Sequence, residues 1–408
     1  MITLERDLLT AVMDRLDEKE FSIITGPRQS GKTTLLSQIA DRLKQREAEV
    51  YSLTLEDQSV LSRLNQHPEN IFDFIIKSSK GRQFVFLDEV QYLDNPSNFL
   101  KLLYDKYHPQ LKIIATGSSA FYIDRKFKDS LVGRKHLFEL YTLDFDEFLR
   151  FRTGDTSLQQ ELNHIRTNAD YISARRKELE SLFIEYLTYG GYPAVVLAAT
   201  PESKIEKLKE IMNSYLKRDI FESNIQDQEK FFRLMMILAQ QTGSLVNTNE
   251  LSKTLKLSVT AIENYLYIIQ KCFHIQLVKP FYRNIRKELI KMPKVYFHDL
   301  GLRNILLGLF NPIEQRLDKG MLIENYAFIR LRQIYGNDLI RYWRTADGHE
   351  IDFIINPAYG NGSALEIKFD ETNFNPKKYQ NFLDAYPDYP FTCRAFCASG
   401  NPSSLLAL

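Results

Sequence analysis

Short apolar runs and helical periodicity alternate along the first third of the chain. Residues 21–25 form an apolar run, and the segment that begins at Thr34 carries apolar residues at helical spacing. This alternation predicts a parallel sheet with helices on both faces, which binds ligands at the carboxyl ends of its strands. Further strands are expected at 50–55, 83–87, 111–116 and 136–140, and a helix at 96–107.

Helical spacing dominates the middle of the chain, and strand-like runs return near its end. Helices are expected at 171–189, 202–223, 228–241, 249–255 and 258–272, followed by strands at 275–281 and 294–298. The last segment predicts a helix at 321–334, strands at 339–344, 350–355 and 364–369, a helix at 377–385 and a strand at 390–396. The fold class expected from the whole pattern is α/β.

Composition narrows the class of protein only slightly. A length of 408 residues suits two or three domains, and a net charge of +1 gives no overall attraction to nucleic acid or membrane. Cys272, Cys393 and Cys397 lack the spacing of a zinc site or a disulfide framework, and reduced thiols indicate a cytoplasmic protein. No apolar run approaches the about 20 residues that span a bilayer, so no membrane partner is expected.

One motif carries specific chemistry: residues 26–33 read Gly-Pro-Arg-Gln-Ser-Gly-Lys-Thr, a complete phosphate loop between a strand and a helix. Backbone N–H groups of such a loop surround a polyphosphate, Lys32 reaches the β- and γ-phosphates, and the Thr33 hydroxyl is a ligand for Mg²⁺. We expect ATP or GTP to bind here with Mg²⁺. The nucleotide-binding residues predicted are Gly26, Pro27, Arg28, Gln29, Ser30, Gly31, Lys32, Thr33 and Thr34.

A second signal lies at Asp88 and Glu89, which follow a buried apolar strand. Asp88 is placed to hold Mg²⁺, and Glu89 to orient and deprotonate an attacking water molecule. Two solvated acids at a strand end are the alternative interpretation. The phosphate loop upstream favours the catalytic one, and it indicates hydrolysis of ATP rather than binding alone.

From residue 113 the sequence Ile-Ile-Ala-Thr-Gly-Ser-Ser resembles the AAA+ ATPases. In that family a polar residue at the end of such a strand contacts the γ-phosphate or the attacking water, which implies that role for Thr116 or Ser118. The alternative is that these hydroxyl groups cap the next helix. The resemblance also implies an arginine finger at Arg134, acting on a neighbour's nucleotide in a homo-oligomer; a surface salt bridge is the alternative for Arg134.

Several segments together look like one prokaryotic group that joins an AAA-type domain to a C-terminal domain of uncertain role. They are the phosphate loop with its Arg28, Leu-Asp-Glu-Val-Gln at 87–91, Thr-Gly-Ser-Ser at 116–119, and Leu-Asp-Phe-Asp-Glu-Phe-Leu at 143–149. Residues 190–193 and 217–220 resemble its middle region. No Gly-x-x-Arg motif follows Tyr171, so a second AAA+ sensor is not expected. The resemblance divides the chain into an AAA+-like ATPase domain (1–150), a helical lid (151–225), a winged-helix-like domain (226–310) and a nuclease-like domain (311–408).

The winged-helix-like segment suggests contact with DNA or RNA. Its second helix presents mainly Glu263, Asn264, Tyr265 and Tyr267, which are poor groups for reading DNA. The following hairpin is basic, so it would suit a phosphate backbone, although a solvated hairpin is the alternative. The hairpin residues that carry this hypothesis are Lys279, Arg283, Arg286, Lys287, Lys291 and Lys294, which flank Phe281 and Tyr282.

The element order of the last domain resembles the PD-(D/E)xK nuclease fold. Glu366 and Lys368 share one face of their strand, and Asp352 is bracketed by apolar residues on another. Asp352 and Glu366 are the possible metal ligands, with Lys368 near the attacking water and Glu324 contributing from the helix. An exposed ion pair, a purely structural polar cluster or an inactive site are the alternatives.

Two hypotheses from different classes follow. In the first, ATP hydrolysis controls a metal-dependent nuclease that acts on DNA or RNA. In the second, the protein is a nucleotide-dependent switch whose C-terminal fold is a docking module without catalytic activity.

Overall fold

The computed structural model describes residues 4–76, 81–117, 131–222, 225–281, 291–345, 347–357 and 362–408, with the backbone alone at 215–222 and 402. The chain forms two compact units. The first comprises Met1–Tyr141 with Lys271–Phe273, and the second Thr142–Gln270 with His274–Leu408. The predicted lid, winged-helix-like and nuclease-like segments lie almost entirely in the second unit.

A five-stranded parallel sheet forms the centre of the first unit, in the spatial order β2-β3-β4-β1-β5. Its strands are β1 (Phe21–Thr25), β2 (Val50–Thr54), β3 (Gln83–Asp88), β4 (Leu111–Gly117) and β5 (Lys135–Glu139). The five strands predicted here are confirmed within one or two residues. Because the strands are parallel, their carboxyl ends meet at one edge of the sheet.

Helices cover both faces of this sheet, as the alternating pattern predicts. They are α1 (Leu8–Met13), α2 (Lys32–Gln45), α3 (Gln58–Gln66) and α4 (Pro96–Tyr107). Ile23 packs in the core cluster that contains α4, whereas Ile24 packs in the one that contains α1 and α2. Successive strand residues therefore point to opposite faces, and both faces are buried.

The second unit begins with helices. Those described before its first strand are α5 (Phe145–Thr153), α6 (Ser157–Thr167), α7 (Arg176–Tyr189), α8 (Pro193–Val196), α9 (Pro201–Glu222), α10 (Gln228–Gln240), α11 (Thr248–Leu255) and α12 (Val259–Lys271). The helix expected at 171–189 begins only at Arg176, and α5, α6 and α8 are additional to the prediction. An antiparallel hairpin of β6 (Ile275–Val278) and β7 (Lys294–Phe297) follows, and then α13 (Leu300–Leu307).

The Gly-Gly-Tyr-Pro sequence at 190–193 has a packing explanation. A Cβ on Gly190 would lie 2.4 Å from Asp299 Oδ1, and Gly190 has a φ of +73°. The Asp299 carboxylate accepts hydrogen bonds from the N–H groups of Gly191 and Leu302, at 2.8 and 2.9 Å. The motif thus lets the end of α7 approach the start of α13 closely.

The chain ends in an α/β arrangement with a four-stranded sheet. Its elements are α14 (Lys319–Tyr335), β8 (Ile340–Arg344), β9 (Glu350–Ile355), β10 (Ser363–Asp370), α15 (Gln380–Ala385) and β11 (Phe391–Cys397). The spatial order is β11-β10-β9-β8, with β10 and β11 parallel and the other neighbours antiparallel. The predicted element order is therefore present. Within the described parts of the chain, none of the helices combines the length and apolar character that a membrane crossing needs.

Candidate functional site

The phosphate loop connects β1 to α2. Gly31 adopts a left-handed conformation with φ +94°, and the helix begins at Lys32, so that N–H groups of the first turn face the loop. A Cβ on Gly26 would lie 2.0 Å from the carbonyl oxygen of Leu140, which explains the glycine there. The Lys32 ammonium group donates hydrogen bonds to the carbonyl oxygens of Gly26 and Pro27, at 2.9 and 2.8 Å.

The remaining loop residues differ in exposure. Gln29 is exposed at the tip with φ +55°, and Arg28 beside it is half-buried. Ser30 is buried, and its hydroxyl group has no hydrogen-bond partner among the described residues. Thr33 and Thr34 are exposed on the first turn of α2. The loop therefore presents a hydroxyl group and helix N–H groups at the carboxyl edge of the sheet.

Arg6 holds this loop in place, although no sequence pattern indicated that role. Its guanidinium group donates to the carbonyl oxygen of Ser30 at 2.6 Å and to that of Tyr141 at 2.8 Å. Arg6 is buried, at 7% exposure. It therefore links the loop to the segment that follows β5.

Three strand ends converge beside the loop. Since β4 lies between β1 and β3, Thr116 at the end of β4 reaches Asp88 at the end of β3. The Thr116 hydroxyl group donates to Asp88 Oδ1 and accepts a 3.0 Å hydrogen bond from the N–H of Glu89. The Thr33 hydroxyl group donates to Asp88 Oδ2 at 3.0 Å. One hydrogen-bonded chain thus joins the loop, the metal-ligand candidate and the acid expected to orient water.

Glu89 has an unusual backbone conformation for a residue other than glycine, with φ +60° and ψ +50°. Its side chain accepts a hydrogen bond from the Gln91 amide. Such conformations cost free energy and persist where surrounding contacts fix them, often at active sites. The Thr116 hydroxyl group and the Gln91 amide supply those contacts. Gln91 is the residue of this cluster to which the sequence analysis gave no role.

Arg134, another predicted catalytic residue, does not join this cluster. Arg134 Nε donates to Asp105 Oδ1 at 2.7 Å, in an ion pair at the surface. Arg134 precedes β5, whose first residue pairs with Phe21 while its last pairs with Thr25. Five steps of about 3.3 Å therefore separate the arginine from the loop edge, roughly 17 Å. Ser118 lies outside the described residues.

The second unit brings its four predicted residues together. Asp352 on β9 faces Glu366 on β10, and the Asp352 N–H donates to Glu366 Oε2 at 3.3 Å. The Ile367 N–H donates to Asp352 Oδ2 at 2.8 Å. Glu366 Oε1 accepts hydrogen bonds from Lys368 and, at 2.9 Å, from the Tyr379 hydroxyl group. The side chains of Asp352 and Glu366 are only 11% and 5% exposed.

Glu324 contacts Lys294, which was predicted to lie on the basic surface of the hairpin. Lys294 Nζ lies 3.2 Å from Glu324 Oε1, 2.5 Å from Glu350 Oε1 and 3.8 Å from Asp352 Oδ1. The Tyr296 hydroxyl group also donates to Glu324 Oε1, at 2.6 Å. We call Glu324, Glu350, Asp352 and Glu366 the acid cluster.

Burial perturbs the titration of this cluster. It raises the pKa of Glu366 to about 8, and the neighbouring Asp352 adds to that rise while Lys368 opposes it. Burial likewise raises the pKa of Glu324 to about 7, against the effect of Lys294. Burial alone would lower the pKa of Lys294, but Glu324, Asp352 and Glu350 outweigh it, so that the pKa is raised. Lys294 therefore carries its charge at neutral pH.

The interpretation of the hairpin as a basic surface is wrong for Lys294 and Phe281. Lys294 is 1% exposed, and Phe281, which is 5% exposed, packs in a core cluster with Trp343. Lys279 and Lys291 are exposed. The others named in that hypothesis, Tyr282, Arg283, Arg286 and Lys287, lie outside the described residues. On α12, Tyr265 is buried against Phe231 and leaves the presumed reading face to Glu263, Asn264 and Tyr267.

Comparison with protein families divides the chain into three parts. Residues 18–149 match the family described as an AAA domain. Residues 180–312 and 319–403 match two domains of unknown function, DUF8612 and DUF4143. With the parallel sheet and the phosphate loop, the first match identifies an AAA-type P-loop ATPase domain in the first unit.

Uncharacterized relatives match most of the chain in sequence rather than one part of it. An uncharacterized protein of Haemophilus influenzae is 27% identical over 353 residues, which cover 84% of this chain and 81% of that protein. One from Methanocaldococcus jannaschii is 26% identical over 349 residues, covering 84% and 73%, respectively. One from Mycobacterium tuberculosis is 24% identical over 371 residues, covering 90% and 74%.

Several solved structures are similar to parts of this chain, with low TM-scores and low sequence identity. The ADP form of the Aeropyrum pernix ORC2 protein gives a TM-score of 0.36 at 13% identity, over 74% of this chain and 92% of that one. The replication initiator DnaA bound to AMPPCP and single-stranded DNA gives 0.32 at 16% identity, over 65% and 86%. PCH-2 of C. elegans gives 0.32 at 16% identity, over 64% and 69%.

Proposed function

We propose that the first unit hydrolyses ATP, with Glu89 orienting a water molecule for in-line attack on the γ-phosphate. The observation that carries this proposal is the hydrogen-bonded chain from Thr33 through Asp88 and Thr116 to Glu89. It holds the acid at a fixed position beside the loop before substrate arrives. Preorganised groups of this kind lower the barrier of phosphoryl transfer because little reorganisation is needed during reaction.

Thr33 and Asp88 are the residues that would hold Mg²⁺. Both oxygen donors lie at the exposed carboxyl edge of the sheet, 3.0 Å apart, and hard oxygen ligands suit this ion. Bound Mg²⁺ neutralises charge on the phosphate oxygens. Lys32 adds its own positive charge inside the loop, where it is held by the carbonyl oxygens of Gly26 and Pro27.

Arg134 is proposed to act on a nucleotide bound to a second copy of the chain. Its distance from the loop edge of its own sheet prevents it from reaching its own nucleotide. Val132, two residues earlier, is an apolar side chain with 75% exposure, which suits a subunit contact. A homo-oligomer is therefore part of the proposal, and turnover per subunit should rise with protein concentration.

The decisive experiment compares two charge-removing variants. Glu89→Gln should bind ATP with near wild-type affinity but lose at least about 100-fold in kcat, because general-base catalysis typically contributes 10²–10⁴-fold. Glu139→Gln is the matched control: this exposed acid ends β5 and bonds to the Tyr141 hydroxyl group, so turnover should persist. Lys32→Ala should lose ATP binding. ATP binding by Lys32→Ala, or wild-type turnover by Glu89→Gln, would refute the proposal.

For the second unit we propose a nuclease-like fold that serves as a nucleotide-controlled docking module. Lys294 favours docking over cleavage, because its ammonium group fills the space between three carboxylates. Cleavage of DNA or RNA is the second candidate, favoured by the convergence of Glu366 and Lys368 with Asp352. Incubation of the protein with plasmid and single-stranded DNA in Mg²⁺ or Mn²⁺ separates the two. Cleavage that Glu366→Ala abolishes would establish the second candidate and exclude the first.

Contact with a nucleic-acid backbone is proposed for the hairpin, through the exposed Lys279 and Lys291. Such contact is electrostatic, so log Kd should change linearly with log salt concentration. The double variant Lys279→Glu with Lys291→Glu should weaken DNA binding at low salt and reduce the salt slope. An unchanged affinity would remove nucleic acid from the list of partners of this hairpin.

A further inference from the structure

Lys294 is a deeply buried charged group of the second unit that lies among three carboxylates. It lies on β7, its side chain is 1% exposed, and its ammonium group is also 5.6 Å from the centre of the Tyr342 ring. The three carboxylates around it come from α14 and β9. A buried ammonium group is tolerated only when anionic partners replace its hydration, and the surrounding carboxylates supply those partners here.

The acid cluster is nearly neutralised by the protein itself. Its four carboxylates face three cationic side chains: Lys294, Lys368 and Arg344, the last of which donates to Glu350 at 3.0 Å. Even with all four carboxylates ionised, only one formal negative charge is left over. Hard cations are held by anionic oxygens, so the compensated cluster offers a divalent cation little net attraction.

The oxygen atoms expected to bind a metal ion already have partners. Asp352 Oδ2 accepts from the Ile367 N–H, and Asp352 Oδ1 faces Lys294. Glu366 Oε2 accepts from the Asp352 N–H, while Glu366 Oε1 accepts from Lys368 and Tyr379. All four oxygen atoms are therefore engaged by a donor or a cation. The residues present do not fit a bound Mg²⁺ ion in this arrangement.

We propose that Lys294 is the resident cation of the acid cluster: its ammonium group takes the place of a divalent metal ion, and the second unit binds no such ion while Lys294 is in position. This inference rests on the nuclease-like interpretation of the fold, because that interpretation defines where a metal would bind. It predicts that removing the lysine creates a metal site from residues already present.

The single tryptophan of the chain provides a local probe. Trp343 on β8 pairs with Ile351, which lies between Glu350 and Asp352. Tb³⁺ is a hard cation that emits when a neighbouring tryptophan transfers excitation to it. Titrating nucleotide-free protein with Tb³⁺, while exciting at the long-wavelength edge where tyrosine does not absorb, therefore reports binding at this cluster.

Wild-type protein should give no saturable Tb³⁺ emission through Trp343. Lys294→Met keeps an apolar stem of similar length and should bind Tb³⁺ at least ten-fold more tightly than wild type, with Mn²⁺ competing. The matched control is Lys204→Met, which removes another buried lysine of this unit, paired with Glu185 at 3.2 Å. It should behave as wild type does.

Saturable emission from the wild-type protein that Mg²⁺ displaces would overturn the proposal, and this measurement needs no variant to fold. If Lys294→Met fails to fold in metal-free buffer, Mn²⁺ should raise its thermal unfolding midpoint, and the absence of that stabilisation would overturn the proposal. Emission by Lys294→Met that survives Glu366→Gln would place the metal elsewhere and refute the nuclease-like interpretation instead. ATP turnover, measured in parallel, tests the first unit separately.

Discussion

Replacing Thr116 by valine tests whether one hydroxyl group organises the ATPase site. The side chain is fully buried, and valine has nearly the same shape. The substitution removes a hydrogen bond to the charged Asp88 and leaves the Glu89 N–H without its acceptor. A hydrogen bond to a charged group contributes about 1.5–3 kcal/mol and a neutral one about 1 kcal/mol. The local loss is therefore about 2.5–4 kcal/mol.

This loss should be expressed mainly in the chemical step. Thr116 contacts the acids and not the phosphate loop, so KM for ATP should stay close to the wild-type value. If about half of the loss misplaces Glu89 in the transition state, kcat falls about 8- to 30-fold, since each 1.36 kcal/mol is a factor of ten. Steady-state hydrolysis of ATP measured over a range of substrate concentrations separates the two parameters.

A second buried threonine provides the control. Thr25, at the end of β1, is 1% exposed, and its hydroxyl group has no hydrogen-bond partner among the described residues. Thr25→Val should leave the thermal unfolding midpoint unchanged or slightly raised, because it removes an unsatisfied polar atom. A folded Thr116→Val protein whose kcat lies within two-fold of wild type would refute the reasoning.

Three further expectations follow from local geometry. Arg134→Ala should lower turnover at concentrations where subunits associate. Asp105→Ala breaks only the exposed ion pair, so it should change stability by less than about 1 kcal/mol and leave turnover intact. Equal losses of turnover in the two variants would assign Arg134 a structural role. Gly26→Ala should lower the free energy of unfolding by about 1–3 kcal/mol, because its Cβ would overlap a carbonyl oxygen. Gly320→Ala, whose Cβ meets open space in α14, should raise this free energy. Calorimetric unfolding of each variant measures the change, and an unchanged stability of Gly26→Ala would contradict the geometry. Burial raises the pKa of Asp318, but hydrogen bonds from two arginines outweigh it and lower the pKa to about 2, below the unfolded value of 3.8. The stability that this carboxylate contributes is therefore present above pH 3.8 and is lost as the pH falls towards 2. In acid titration, the free energy of unfolding of Asp318→Asn should fall less steeply than that of the wild type between about pH 4 and 2.

Much of the first unit follows from local sequence. The phosphate loop is contiguous, so Gly26, Lys32 and Thr33 are recognisable without knowledge of the fold. The strands of its sheet were predictable because they are buried on both faces and therefore read as apolar runs. Asp88 and Glu89 could be assigned to the ligand-binding edge because they follow the carboxyl end of a predicted parallel strand.

What the sequence could not supply was the partner of each polar group. Two alternatives stood for the Thr116 hydroxyl group, and its bonds to Asp88 and to the Glu89 N–H depend on β4 lying between β1 and β3. Arg6 contacts Ser30 and Tyr141 across 24 and 135 positions. Chain topology, rather than any local pattern, brings these groups within hydrogen-bonding distance.

Lys294 shows the same division most clearly. The hairpin segment that contains it is rich in basic residues, which led to the prediction that Lys294 lies at the surface. In the structure its partners are three carboxylates 30 to 58 positions away. The sequence by itself determined the α/β class, the phosphate loop and which acids and bases are available. Only the tertiary structure decided which charges are buried together, because burial and pairing depend on how β7, β9 and α14 pack, and a charge removed from water must find its counter-ion there.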